Sequence, residues 1–274
     1  MVKVAVYGHT GRLGAPLVKI LESHPKAELV YTKSKGQDDV GNLDAAEFVF
    51  LALPYGESEQ YLDKLSGKRI IDLSVDHRSD PDWAYGLPEI NKDKIKDASH
   101  VANPGCYATS ILLGLLPLRG KIGSVCIQAS SGISGAGANV KEEDNFVVYK
   151  EGNIHPQVQE IRNLLGIEDV IFVPVRVENT DRGIVSTIFP DYKGGEIVEE
   201  FKEFYKHSHF VRIVDAIETK NVINTNYCDI KPMVIGDKAI IISGLDNLIK
   251  GGSGQAIQNF NIMNGFDETL GLLL

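Results

Sequence analysis

The opening of the chain constrains its fold more than any other stretch. Val2 to Tyr7 (VKVAVY) alternates β-branched residues around one lysine, and Gly8-His9-Thr10-Gly11-Arg12-Leu13-Gly14 leads into apolar positions Leu13, Leu17, Ile20 and Leu21 at helical spacing. Strand, glycine turn and helix together make a dinucleotide-binding opening, in which the glycines admit a pyrophosphate and the helix N-terminus faces its charge. The spacing is GxxGxxG rather than GxGxxG, so the context carries the reading: Glu28 to Thr32 (ELVYT) forms a second strand pattern about twenty residues on. Gly8, Thr10, Gly11, Arg12 and Leu13 are the first candidate cofactor contacts.

In NAD-selective folds an acidic residue near the end of the second strand takes the ribose 2′-hydroxyl. Here the strand ends Thr32-Lys33-Ser34-Lys35, two hydroxyls and two cations that suit a 2′-phosphate, and the pattern predicts NADP over NAD. Ala45 to Leu53 and Arg69 to Leu73 read as buried strands with a helix between them over Glu57 to Leu65. Apolar strands alternating with helices predict an α/β fold with a doubly wound parallel sheet. Ligands gather at the carboxyl ends of such strands, which adds Pro54 and Ser74 to the cofactor edge and places Arg78 just beyond as a fork for a phosphate or carboxylate.

Asn103-Pro104-Gly105-Cys106-Tyr107 precedes the apolar run Ile111 to Leu118, so Cys106 is expected at the N-terminus of a buried helix. Helix N–H groups and the positive end of the dipole stabilise a thiolate there, taking a cysteine from about pKa 8.5 toward 7 or lower. Cys106, Cys126 and Cys228 are widely spaced and odd in number, neither a disulfide framework nor a metal motif, and a free thiol survives in a reducing compartment. With no membrane-length apolar run and no signal-peptide pattern, the expected location is the cytoplasm. The formal charge of −9 argues against nucleic acid as a partner.

Downstream, Ser124 to Ser130 reads as a strand followed by the small-residue stretch Ser131 to Gly137, a second place for a backbone to approach a ligand, with Gly135 as the candidate. His155 stands before Pro156 and a helix with Val158, Ile161, Leu164 and Leu165 on one face, and it is the side chain best able to move a proton near neutral pH. Val170 to Val177 and Gly183 to Phe189 read as antiparallel strands around a turn containing Arg182. The helix Ile197 to Tyr205 and strands at Val211 to Val214, Tyr227 to Ile235 and Ala239 to Ile242 complete a second, α+β lobe. An antiparallel sheet with an exposed apolar face predicts a homo-oligomer. Asp246 to Gly254 then opens a last helix, Gln255 to Met263, with Asn247 at a further ligand edge.

Taken together, the motifs resemble the N-acetyl-gamma-glutamyl-phosphate reductases, which are similar to aspartate-semialdehyde dehydrogenases. The matching segments are the glycine opening, FLALP at Phe50 to Pro54, IDLSVDHR at Ile71 to Arg78, YGLPEI at Tyr85 to Ile90, ANPGCYAT at Ala102 to Thr109, SGISGAG at Ser131 to Gly137, RGI at Arg182 to Ile184 and DNLIKGGSGQAIQNFNIM at Asp246 to Met263. The resemblance implies that Cys106 is the nucleophile, that His155 is the acid/base and that the sheet binds NADP. It further implies a Rossmann lobe of residues 1–105 with 247–274 and a catalytic and dimerisation lobe of 106–246, assembled as a homodimer or homotetramer. The chain departs from the family's HRHTPEI at Ile154 to Val158, has Ala138 where the family has an arginine, and lacks the family's histidine after proline in FVPVRV. It is also shorter than most relatives.

The chemistry that fits is reductive dephosphorylation of an acyl phosphate, N-acetylglutamyl 5-phosphate in arginine biosynthesis, through a cysteine thioester. Arg78 and Asn103 are candidates for the phosphate and Arg182 for a substrate carboxylate. A related branch reduces a carrier-protein-bound aminoadipyl phosphate in lysine synthesis. A non-catalytic NADP sensor has no use for the thiol, and a cysteine hydrolase has none for the dinucleotide.

Overall fold

The structure, a computed structural model, describes residues 1–135 and 145–273, so Ala136 to Ala138 lie outside the described residues. Contacts divide the chain into two units, residues 1–105 with 252–273 and residues 106–251. The chain first runs through β1 (Val2–Tyr7), α1 (Gly14–Ser23), β2 (Ala27–Lys33), β3 (Val40–Gly41), β4 (Phe48–Leu51), α2 (Glu59–Leu62), β5 (Arg69–Asp72), β6 (Ala84–Tyr85), α3 (Pro88–Asp97) and β7 (His100–Ala102). The second unit contributes α4 (Cys106–Leu115), β8 (Ser124–Gly132), β9 (Phe146–Val148), α5 (Gln157–Leu165), β10 (Asp169–Val177), β11 (Ile184–Pro190), α6 (Ile197–Tyr205), β12 (Val211–Ile213), β13 (Cys228–Ile235) and β14 (Lys238–Leu245). The last helix, α7 (Gly254–Met263), returns to the first unit.

The first sheet has the order β3-β2-β1-β4-β5-β7-β6, all parallel except the edge strand β3. Alternation along each strand supplies both faces: Val4, Val6, Phe48, Phe50 and Ile71 point one way, Ala5, Tyr7, Val49, Leu51 and Ile70 the other. The first face packs under α1, α3 and α7, with Phe260 edge-on to Phe48 at 4.9 Å. Cutting a fully buried Phe260 to alanine is worth about 3–5 kcal/mol. Strand order reverses between β1 and β4, the point at which doubly wound sheets open a ligand crevice.

Two elements are shorter than the apolar pattern predicts. The segment expected as strand from Ala45 begins only at Phe48, because Asn42 accepts the Asp44 N–H and winds Leu43–Ala45 into a 3-10 turn. The helix expected from Glu57 to Leu65 shrinks to Glu59–Leu62 and a 3-10 turn, Asp63–Leu65, since the Asp76 carboxylate takes the N–H groups of Gly56 and Ser58 and holds its start as a turn.

The second sheet is mixed, in the order β12-β13-β14-β11-β8-β10-β9. The expected hairpin between Val170 to Val177 and Gly183 to Phe189 does not form. β8 lies between the two strands, parallel to β10 and antiparallel to β11. The connection steps over the end of β8, where the carbonyls of Gly183, Thr180 and Asp181 accept the N–H groups of Gly132, Ile133 and Ser134. A Cβ on Gly132 would lie 2.4 Å from the Asp181 oxygen, so the small residue there serves a close approach within the protein itself.

Candidate active site

In the first unit, the turn between β1 and α1 closes on its own backbone. Gly8 has φ +77°, and a Cβ there would lie 2.1 Å from the Ala52 carbonyl oxygen, while one on Gly14 would lie 2.0 Å from the Gly8 oxygen. Helix α1 has no side-chain cap and no acidic residue in its first turn, which leaves the positive end of its dipole for an anion. That donor set fits a dinucleotide pyrophosphate at Thr10 to Leu13. The end of β2 is latched to this turn: the Gly8 N–H donates to the Lys33 carbonyl at 2.7 Å, and the Ser34 hydroxyl accepts the Thr10 N–H at 3.2 Å and bonds His9 Nδ1 at 3.0 Å. Lys33 Nζ pairs with Asp39 at 2.7 Å, and the Tyr31 hydroxyl donates to the same carboxylate. Lys33 and then Tyr31 hold Asp39 below the usual carboxylate range. Thr32 is half-buried, Lys35 is exposed, and Pro54 is exposed just beyond the end of β4.

The other expected residues of this unit are engaged with the protein. Ser74 is buried, its hydroxyl donating to Asp72 at 2.8 Å beside Ser58, and burial raises the Asp72 carboxyl above its ordinary range. Arg78 spends Nε on the Asn103 carbonyl at 2.9 Å and Nη2 on the Leu73 carbonyl at 3.1 Å. Asn103 donates to the Gly252 carbonyl and accepts from Asn259, so both ends of its buried carboxamide tie β7 to the approach of α7.

In the second unit, Cys106 is half-exposed as the first residue of α4, and every later residue of that helix is buried. Gly105 before it carries no side chain to cap the helix. Gln157, the first residue of α5, takes that role: its Oε1 accepts the Ala108 N–H at 2.8 Å. The Gln157 backbone N–H donates to His155 Nδ1 at 3.3 Å, which assigns the proton of the neutral ring to Nε2. His155 is buried among aromatic rings, edge-on to Tyr107 at 5.5 Å, Phe172 at 5.3 Å and Tyr149 at 6.0 Å. The Tyr107 and Tyr149 hydroxyls are 3.1 Å apart, and the Arg176 guanidinium lies over the Tyr149 ring at 5.6 Å while pairing with Glu178. Burial raises the Tyr149 phenol, and its hydrogen bond with Tyr107 works against that rise.

His155, Tyr107, Tyr149 and Gln157 therefore form one cluster at the first turn of α4, the helix that Cys106 begins. Gly251, in a π-helical turn spanning Ile249–Ser253, backs the cysteine: a Cβ there would lie 2.8 Å from Cys106 Cβ. The remaining expected residues of this unit stand apart from the thiol in their bonding. Arg182 donates to Asn224 at 3.0 Å beside Asp181 and Asp246. Asn247 joins the Gly183 N–H to the Ser134 hydroxyl, 3.7 Å from where Gly135 would carry a Cβ. Gly135 and Asn247 belong to the unit of Cys106, not to that of the glycine turn. Tyr149 and Arg176 had no motif to reveal them, whereas Gln157 lies within the Ile154 to Val158 segment already singled out.

Compared with protein-family models, residues 35–98 match the semialdehyde dehydrogenase NAD-binding domain and residues 106–247 its dimerisation domain. An N-acetyl-gamma-glutamyl-phosphate reductase of Bacteroides thetaiotaomicron is 36% identical, the match covering 100% of this chain and 98% of the relative. The chain belongs to the N-acetyl-gamma-glutamyl-phosphate reductase family. A reductase of that name from Archaeoglobus fulgidus is 33% identical, covering 98% of each chain. Among solved structures, aspartate semialdehyde dehydrogenase II of Vibrio cholerae matches with a TM-score of 0.81 at 15% identity, over 97% of this chain and 98% of that one, a likeness of fold. The protein is thus an oxidoreductase of the semialdehyde dehydrogenase family with a nicotinamide-binding domain of Rossmann type. Among the described residues, none of the groups of His, Cys, Asp and Glu is placed to hold a metal ion, and no helix is long and apolar enough to cross a membrane.

Proposed function

We propose that this protein reduces N-acetylglutamyl 5-phosphate to the semialdehyde, with release of phosphate, as a cytoplasmic enzyme of arginine biosynthesis. The observation that carries the reading is Cys106 at the N-terminus of α4, backed by Gly251, with His155 edge-on to Tyr107, the next residue of that helix. The Cys106 sulfur attacks the acyl carbon; a C–S bond forms, the C–O bond to phosphate breaks, and inorganic phosphate leaves. The helix N–H groups of α4 meet the charge that develops on the acyl oxygen, and His155 donates its Nε2 proton there and recovers it as the carbonyl re-forms. Gly8 and Thr10 to Leu13 would hold the pyrophosphate of a nicotinamide dinucleotide, which when bound in its reduced form would supply the hydride that turns the thioester carbon into an aldehyde as the thiolate is released.

NADPH rather than NADH is favoured by Lys33, Ser34 and Lys35 at the end of β2; because Asp39 occupies the Lys33 ammonium, the 2′-phosphate falls to Lys35 or draws Lys33 from that partner. The uncovered face of the second sheet carries Ile171 and Phe189, both exposed, with Val173, Ile240 and Ile242 beside them, and a second copy of the chain is the partner assigned to it.

The test is phosphate-dependent NADP reduction with N-acetylglutamate semialdehyde, run beside the aminoadipate analogue, in wild type and Cys106→Ser. The serine variant is expected to bind NADP and lose nearly all turnover. Unchanged turnover removes Cys106 from the reaction, and preference for the aminoadipate substrate moves the enzyme to lysine synthesis.

A further inference from the structure

Arg176 is a cation near the start of α4 that the reaction steps leave unused. Alternate residues of β10 face that helix: Phe172 meets the rings of Tyr107 at 5.2 Å and His155 at 5.3 Å, and Val170 and Pro174 are buried on the same side. Arg176 is the next residue on that face, toward the carboxyl end of the strand. The segment before His155 runs along the same strand: Val148 pairs with Val175, the Tyr149 N–H donates to the Pro174 carbonyl at 3.3 Å, and Gly152 bridges to Phe172. That path puts the Tyr149 ring in contact with two side chains. The Arg176 guanidinium lies 5.6 Å from its centroid and the His155 ring 6.0 Å, while its hydroxyl is 3.1 Å from that of Tyr107, the residue after Cys106.

The guanidinium is held without being used up. Nε and Nη2 donate to one oxygen of Glu178, Oε1, at 3.0 and 2.7 Å, and Nη1 has no partner among the described residues. A buried carboxylate fixes the plane of the fork, and the aromatic face beside it favours the cation there. With the Nε–Nη2 edge engaged, the other edge, Nη1 with the second hydrogen of Nη2, suits a second carboxylate. The Arg176 side chain is 18% exposed, which leaves that edge within reach of a small anion. Arg182, the guanidinium the sequence pointed to for such a group, spends Nη1 on Asn224 and has two carboxylates, Asp181 and Asp246, against its one charge.

We propose that Arg176 is a specificity-determining residue, the group that receives the carboxylate of an N-acylated amino-acid semialdehyde while the aldehyde carbon meets Cys106. Glu178 and Tyr149 position it. This rests on the reading in which the enzyme works on N-acetylglutamate semialdehyde through Cys106. In the oxidative direction the aldehyde and inorganic phosphate are separate substrates, so the two anions that a cation here could serve are measured independently.

The experiment measures kcat, KM for N-acetylglutamate semialdehyde and KM for phosphate in wild type, Arg176→Lys and the double variant Arg176→Gln/Glu178→Gln. The decarboxylated aldehyde, an acetamidobutanal, is run beside them. Changing both partners avoids leaving Glu178 buried and unpaired, and thermal melting reports whether the double variant is folded. Loss of a charge-assisted hydrogen bond to the substrate is expected to raise KM for N-acetylglutamate semialdehyde about tenfold or more in the double variant. KM for phosphate, and kcat/KM for the acetamidobutanal, are expected to stay within about twofold of wild type. Arg176→Lys keeps the charge without the planar fork and is expected to raise the aldehyde KM about threefold; if the double variant does not fold, this variant decides alone. An aldehyde KM unmoved, a loss shared equally by the two aldehydes, or a rise confined to phosphate overturns the proposal. Wild type inert toward N-acetylglutamate semialdehyde sinks the functional reading and this proposal with it, whereas an active wild type beside unaltered Arg176 variants sinks only the role of Arg176.

Discussion

Gly251→Ala tests how tightly the cysteine is held. A Cβ at residue 251 would sit 2.8 Å from Cys106 Cβ, 3.2 Å from its Cα and 3.3 Å from Leu245 Cδ1. The leucine methyl can turn aside. The cysteine carbons are fixed to the start of a buried helix, so the two backbones must part by about 0.6 Å before that contact becomes ordinary. Overpacking of this kind costs about 1–3 kcal/mol. A shift of about 1 Å in a reacting group costs on the order of 100-fold in rate, so kcat should fall about tenfold or more. Urea denaturation and steady-state kinetics measure the two effects. Gly195→Ala is the control, since a Cβ there meets nothing within 4 Å and should change stability by less than about 0.5 kcal/mol. A Gly251→Ala enzyme with wild-type stability and kcat would refute the argument that this turn locates the thiol.

Asn247→Ala leaves the Gly183 N–H buried without its acceptor and the Ser134 hydroxyl without its donor, and should cost about 2–3 kcal/mol in denaturant titration; a change under about 0.5 kcal/mol contradicts this. Asp39→Ala releases Lys33 and is expected to lower KM for NADPH while KM for NADH stays within about twofold; an equal change in both argues against a 2′-phosphate at this turn. Burial lowers the pKa of His24, whose Nδ1 accepts the Lys26 N–H and whose Nε2 meets Asn261 Oδ1 at 3.0 Å. Below about pH 6.5 the unfolded chain binds the proton first, so this contribution to stability is full above that pH and is lost as pH falls through the lowered value. His24→Asn should flatten the stability profile below about pH 6.5, and an unaltered slope would remove His24 from the acid response.

What could be read from the sequence was local. Alternation in VKVAVY, the glycine turn and the apolar spacing after it give β1 and α1 directly, and the helix read at Ile197 to Tyr205 has those bounds in the structure. The helix after Pro104-Gly105 begins at Cys106 for the reason the sequence supplies, a stop signal followed by a buried apolar run. Pairing over long distances was not legible. Two strands forty residues or more from β8 in sequence reach its two edges, and nothing in Val170 to Val177 or Gly183 to Phe189 records that a third strand parts them. Side-chain partners were hidden for the same reason: Lys33 reads as a free cation until the β2–β3 turn brings Asp39 against it, and Gln157 reads as an ordinary first-turn residue until α5 meets α4.

The central claim is a covalent one, that the acyl group passes through the Cys106 sulfur. The direct measurement mixes enzyme with acyl phosphate in the absence of nicotinamide, then follows phosphate release and the mass of the peptide that contains Cys106. One phosphate per active site, released in a burst, with the acyl mass on Cys106 and discharged when NADPH is added, is the predicted result. No burst, or an acyl group carried by another residue, would contradict it.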